Sequence, residues 1–250
     1  MLVSFIKEYP FFLAFLLGLI PALIWLWFWL KEDSHPEPAK MITLSFLGGI
    51  LAVLIALPLE KMVFNYFKDA YGLSMSIPFK IFSLETVLFA IWASIEEISK
   101  LALVYFIALK RKVTDEPIDD VMYLIVAALG FVTLENALFL REPLSNGDVI
   151  GAIVNGNLRF VGSSLLHVMS SATIGASMAM SFYRNNRIKK EHLLSGVILA
   201  IILHTIFNLF IINESHGNVF LTFGMVWIGI VVLLLLFEKI KHTRRLTKAQ

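Results

Sequence analysis

Long apolar runs separated by short charged stretches dominate this chain. Seven runs are long enough to cross a hydrocarbon core of about 30 Å. They are Tyr9–Leu30, Met41–Leu59, Thr86–Leu109, Val121–Leu140, Phe160–Tyr183, Leu193–Asn213 and Asn218–Phe237. The runs are continuous rather than alternating. They therefore predict helices and not barrel strands, since backbone groups in lipid must be satisfied internally. Two further stretches break the pattern. Glu60–Lys80 mixes charges with Phe64, Tyr66, Phe67, Tyr71 and Phe79, which predicts an outer interfacial amphipathic helix. Val149–Leu158 is apolar but too short to span, and predicts a half-buried or re-entrant stretch. There is no internal repeat, low-complexity tract or inverted-repeat symmetry.

Composition fits this pattern. Hydrophobic residues make up 58% of the 250 positions, charged residues 16%, and mean hydropathy is +0.79. A soluble domain of this length would need far more polar surface, so residues 1–250 predict one integral membrane domain. With no cysteine, a disulfide framework and a thiolate nucleophile are excluded. The first run holds 22 uncharged residues and is followed by Lys31-Glu32-Asp33-Ser34-His35-Pro36 rather than a small-residue cleavage site. That predicts a retained first helix and not a signal peptide. With the N-terminus outside, 14 of the 21 Lys and Arg residues fall on the inner side and six on the outer. This asymmetry predicts an all-α polytopic bundle of about seven transmembrane helices, N-out and C-in.

The candidate chemistry lies inside the apolar runs. Charge at bilayer depth costs roughly 2.5–3.5 kcal/mol per residue on insertion scales. Even so, the third run carries Glu96, Glu97 and Lys100. The fourth carries Glu135 and Asn136. The fifth carries His167 with Ser163, Ser164, Ser170 and Ser171, and the sixth His204 and Asn208. Lys100 lies i+4 from Glu96 and i+3 from Glu97, so it can pair with either acid. Glu96 and Glu97 point about 100° apart and so have different partners. His167 and His204 lie about nine residues from the outer ends of their helices, roughly 13 Å down. Glu135 and Asn208 are shallower, and Glu96 and Glu97 lie near the midplane. These depths predict one wet cavity opening outward.

One Glu–Lys pair could serve packing alone, but the second glutamate leaves surplus negative charge. The histidines and Asn208 could act as interhelical glue, although their company with the acids favours chemistry. The serines read as small packing residues. Arg159 reads as a snorkelling anchor or as a partner of Glu135. Gly48 and Gly49 read as packing or lipid-facing positions. Acids and histidines at this depth suit peptide hydrolysis: a glutamate deprotonates water, a second acid protonates the leaving amine, and His or Asn donors hold the oxyanion. A zinc site of Glu97, Glu135, His167 and His204 is the other version. The chain has neither H-E-x-x-H nor G-x-S-x-G, so it is neither a standard zinc-protease helix nor a nucleophile elbow.

Several of these residues together resemble the PrsW family of bacterial intramembrane proteases, relatives of the CAAX protease and bacteriocin-processing superfamily. They are Glu96-Glu97-Ile98-Ser99-Lys100; Asp115-Glu116-Pro117 leading into Gly130-Phe131 and Glu135-Asn136; Arg159 with His167; and His204 followed by Asn208. The resemblance covers about residues 85–213. CAAX-type enzymes typically carry arginine where this chain has Lys100, and histidine where it has Glu135, which points to the PrsW branch. The resemblance implies a multi-pass protease of the bacterial plasma membrane. Its partner would be a single-span anti-sigma factor, cut at site 1 on the extracytoplasmic side in a stress response; no nucleic-acid partner is implied. It implies Glu96 and Glu97 as catalytic acids, one of them the base. Glu135, His167 and His204 would be water-binding, metal-binding or oxyanion groups. Lys100, Asn136, Arg159 and Asn208 would be substrate or orienting residues, and zinc the candidate cofactor. The competing readings are a proton-coupled transporter, which needs a polar path to both faces, and a non-catalytic membrane scaffold.

Overall fold

A computed structural model describes residues 9–33, 35–73, 83–212 and 219–241. The described residues form helices with no strand: α1 Pro10–Glu32, α2 Ala39–Tyr71, α3 Leu84–Val104, α4 Pro117–Ser145, α5 Val149–Val161, α6 Ser163–Met180, α7 Asn186–Ile212 and α8 Val219–Lys241. A π-helical turn, Tyr105–Leu109, extends α3. Four of the described helices, α1, α2, α4 and α7, are long and apolar enough to cross a membrane.

α4 is the axis of the bundle. Its most apolar window is 83% buried, against 17–39% for the other three long helices, whose outer faces are left for lipid. Its start is written in the sequence. Pro117 sits at the first helical position, where its missing N–H costs nothing. Asp119 Oδ2 accepts from the backbone N–H groups of Asp115 and Glu116, both at 2.8 Å, and Glu116 returns a cap bond to the first turn. Around α4 pack α1, α2, α6 and, through α6, α7 and α8. The α1–α2 connection is tied back to it: Glu37 accepts from the Tyr123 hydroxyl, and His35 lies 3.3 Å from Glu116. Burial raises the Asp33 and Glu37 carboxyls in this connection above their ordinary range.

Glycines let α2 and α4 touch backbone to backbone. A Cβ on Gly49 would fall on the Ala127 carbonyl, and one on Gly130 would fall on the Phe46 carbonyl. The two helices are thus keyed reciprocally, which sets Glu135 on α4 against Val53, Ala56, Leu57 and Glu60 of α2. Gly130→Ala should cost about 2–3 kcal/mol, because a backbone contact cannot yield as a side chain would. Thermal unfolding of the purified variant in detergent checks this, and an unchanged Tm would refute the keying.

Two predicted elements differ. Glu60 does not open a separate interfacial helix. α2 runs on through Pro58 to Tyr71, where Gly72 (φ 63°) caps it by donating to the Lys68 carbonyl at 2.9 Å. The helix continues because Val63, Phe64 and Phe67 keep a helical spacing and pack on Leu88, Ile91 and Trp92 of α3. The rest of the predicted segment, to Lys80, lies outside the described residues. The run Phe160–Tyr183 is also divided: Gly162 separates α5 from α6, which leaves α6 with 18 residues. The predicted half-buried stretch is α5 itself, with Ala152 buried and Ile150 outward.

Candidate active site

Four helices deliver the polar side chains to one place. α3 carries Glu96, Glu97 and Lys100, α4 Glu135 and Asn136, α6 His167 and Ser171, and α7 His204 and Asn208. Arg159 arrives from the last turn of α5. The 100° offset between neighbours on a helix decides the two glutamates' surroundings.

Glu97 points inward and is wholly buried. Its Oε1 accepts from Lys100 Nζ at 2.6 Å and from His204 Nδ1 at 2.9 Å, and its Oε2 accepts from Ser171 Oγ at 2.8 Å. One carboxylate thus ties α3, α6 and α7 together. Because Nδ1 of His204 donates to Glu97, the tautomer is fixed and Nε2 keeps its lone pair. Lys100 is equally buried, with its ammonium 3.2 Å from His167 Nδ1 and 4.8 Å from the Phe131 ring centroid.

Glu96 points to a cavity of about 390 Å³. Its Oε2 is buried and has no hydrogen-bond partner. This oxygen lies 3.7 Å from His167 Nδ1 and 3.7 Å from His204 Nε2. The two imidazoles meet edge to face, 4.9 Å between centroids. A buried acidic oxygen without a donor is costly unless something cationic or protic faces it. The donor set fits a divalent metal. One ligand atom each from Glu96, His167 and His204 lie within 4.8 Å of one another, and tetrahedral zinc ligands are about 3.4 Å apart. A carboxylate behind a ligating histidine is the usual second support of such a site, and Glu97 occupies that place behind His204.

The mouth is built around Glu135. Its Oε2 lies 2.8 Å from Arg159 Nη2 and 3.2 Å from His167 Nε2. Arg159 also donates to Asn136 Oδ1 at 2.6 Å and to Ser163 Oγ at 3.3 Å, and stacks 3.8 Å from the Phe139 ring. Asn208 and Glu60 complete the lining.

The acids, histidines, Lys100, Asn136, Arg159 and Asn208 singled out in the sequence lie in or against this one site, but their groupings differ from the expectation. Of the four residues considered for zinc, His167 and His204 converge with Glu96, His167 also lying 3.2 Å from both Lys100 and Glu135, whereas Glu97 and Glu135 are engaged by Lys100 and Arg159. Asn208 lines the cavity, and it is Glu97 that holds the His204 ring. Ser163, Ser164 and Ser171, read as packing residues, are bonded into the network. Glu60 was missed as a site residue. The signal was there: it directly follows the second apolar run, but the mix of charges and aromatics in Glu60–Lys80 placed it in a separate interfacial helix.

Comparison with known proteins points the same way. The sequence profile described as PrsW family intramembrane metalloprotease matches residues 37–237. A Clostridioides difficile protein named Protease PrsW is 29% identical over 213 residues, covering 83% of this chain and 82% of that protein. Proteins of the same name from Geobacillus kaustophilus and Oceanobacillus iheyensis are 29% and 28% identical. They cover 76% and 86% of this chain, and 76% and 91% of their own lengths. No solved structure matches.

Proposed function

The chain belongs to the PrsW family of intramembrane metalloproteases and is a multi-pass protease of the bacterial membrane, and from that premise we propose that it makes the site-1 cut in a single-span membrane anti-sigma factor, on the extracytoplasmic side. The observation that carries the reading is the convergence of the partnerless Glu96 oxygen with His167 and His204 on a cavity reached by a second acid, Glu135. The excess of Lys and Arg on the inner side supports a seven-span, N-out arrangement, which turns the mouth outward.

Glu96, His167 and His204 would hold the metal, which when bound supplies Lewis-acid polarisation of the scissile carbonyl and the attacking water. Glu135 takes the proton from that water as its oxygen bonds to the carbonyl carbon. It then returns the proton to the leaving nitrogen as the C–N bond breaks. Arg159 holds the Glu135 carboxyl in place at the cavity before attack. Asn208 donates its amide to the carbonyl oxygen as charge builds there. Glu97 touches none of the reacting atoms and is a positioning residue, acting through His204.

The test is cleavage of a single-span anti-sigma-factor substrate by purified protein in detergent. Cleavage should stop when a strong chelator strips the protein and return with zinc. Elemental analysis should find about one metal per chain, lost in His204→Ala. Full activity in metal-free protein would remove the metal from this reading. Failure on the anti-sigma factor, alongside cutting of other single-span helices, would remove the substrate assignment and leave the chemistry.

A further inference from the structure

A second cavity, of about 410 Å³, lies at the other end of the bundle. Lys189, on its rim, precedes His204 on α7 by 15 residues, about 22 Å of helix at 1.5 Å per residue, so the recess is separate from the cavity above. It lies where α3 ends, α4 begins and α6 turns into α7. The π-helical turn shapes its α3 wall. Lys110 N–H reaches back five residues to the Tyr105 carbonyl at 3.2 Å, and the Ala108 carbonyl is taken up by Arg111 N–H at 2.8 Å and Thr114 Oγ1 at 3.1 Å. Such turns widen a helix locally and often mark sites.

The charges in the recess are arranged as a complement to a zwitterion. Asp120 lines it from the first turn of α4, only 5% exposed and with no hydrogen bond to its carboxylate among the described residues. Lys189 lines the same recess, its ammonium 5.3 Å from the Phe182 ring centroid. Lys189 and Lys190 are both exposed at the rim. Thr114 and Asn186 are the other polar groups in the lining and the remaining walls are apolar; outside them Tyr105 at the end of α3, Tyr183 in the α6–α7 turn and Leu194 on α7 are exposed. A site with a carboxylate inside, two ammonium groups at the rim and greasy flanks fits a lipid better than a soluble ion.

We propose that this recess binds a phospholipid with a primary-amine headgroup, of the phosphatidylethanolamine type. The headgroup ammonium meets Asp120, the phosphate sits between Lys189 and Lys190, and the acyl chains run down past Tyr105 and Leu193. Three N–H donors satisfy the Asp120 oxygens. A choline headgroup offers none and is bulkier. A glycerol headgroup brings no cation, so Asp120 would stay uncompensated beside the phosphate.

The experiment uses the full-length protein, delipidated in detergent and titrated with phosphatidylethanolamine, phosphatidylcholine and phosphatidylglycerol of one chain length, with bound lipid counted by native mass spectrometry. One phosphatidylethanolamine per chain should bind at least about tenfold tighter than either other lipid, the scale of one charge-assisted hydrogen bond. Asp120→Asn should erase the preference. Lys189→Gln with Lys190→Gln, on exposed positions that do not threaten folding, should weaken phosphatidylethanolamine about tenfold while anti-sigma-factor cleavage in detergent persists. Equal binding of the three lipids, or undiminished binding by the double lysine variant, would overturn the proposal. So would free phosphoethanolamine competing as strongly as the lipid, since the acyl chains would then contribute nothing.

Discussion

Glu96→Gln should lower the cleavage rate by about 10²-fold or more, since losing a direct donor to the metal should exceed the roughly 10–100-fold that losing a supporting partner of such a site costs, while leaving the fold as stable as before. The two halves of this expectation come from the same atom. Glu96 Oε2 is buried, faces two histidines at 3.7 Å and accepts no hydrogen bond. Replacing it by an amide removes a negative charge that no lysine or arginine neutralises directly, so no ion pair is broken. The histidine pair, however, loses the anion that faces it, and with it the third donor of the set. Turnover of the single-span substrate measures the first half, and Tm of the purified protein the second. A variant that keeps more than a tenth of the activity would remove Glu96 from the chemistry. One that is inactive only because it has unfolded would show a lowered Tm.

The largest effect on stability should come from Lys100→Met, at about 3–5 kcal/mol, the usual cost of stranding a buried charge. The Glu97 carboxylate is wholly buried and depends on the ammonium at 2.6 Å, keeping only the His204 and Ser171 bonds without it. The double variant Lys100→Met with Glu97→Gln should recover most of that loss, because removing both charges together also removes the desolvation penalty of each. It should not recover activity, since the Gln amide orients His204 less firmly than a carboxylate does. Unfolding midpoints of the two singles and the double close this cycle. Additive losses would mean that Glu97 and Lys100 are not coupled, against the geometry.

Much of the site was legible because charge inside an apolar run is conspicuous. Glu96, Glu97, Lys100, Glu135, His167 and His204 stand out against Leu, Ile, Val and Phe without any fold. Helical spacing then pairs Lys100 with the acids. The division of labour between adjacent glutamates was not legible. They differ by one step on the helix, and which of them meets the cavity depends on how α3 is rotated against α6 and α7. Ala93 and Val104 are buried on the same helix as Glu97 and Lys100, a face that only the packed bundle reveals. The reach of α2 was misread for a related reason. Pro58 and the charges after it are stop signals in isolation, but contacts with Leu88 and Trp92 on another helix outweigh them. The start of α4 was also more local than expected: Asp115 through Asp119 contain its full cap, and the helix starts at Pro117, four residues before the apolar run begins at Val121.

The Glu97 carboxylate joins α3, α6 and α7, and that has a temporal consequence. A chain emerging from the ribosome exposes Glu96 and Glu97 first, then Glu135, then His167, while His204 follows more than a hundred residues after Glu97. Until α7 is threaded into the bilayer and meets the waiting carboxylate, the site lacks one of its imidazoles and α3 and α6 lack a common anchor. On the proposed ligand set the nascent chain would therefore pass its neighbours in the translocon without the means to cut them, and hydrolytic competence would begin only once α7 is in place.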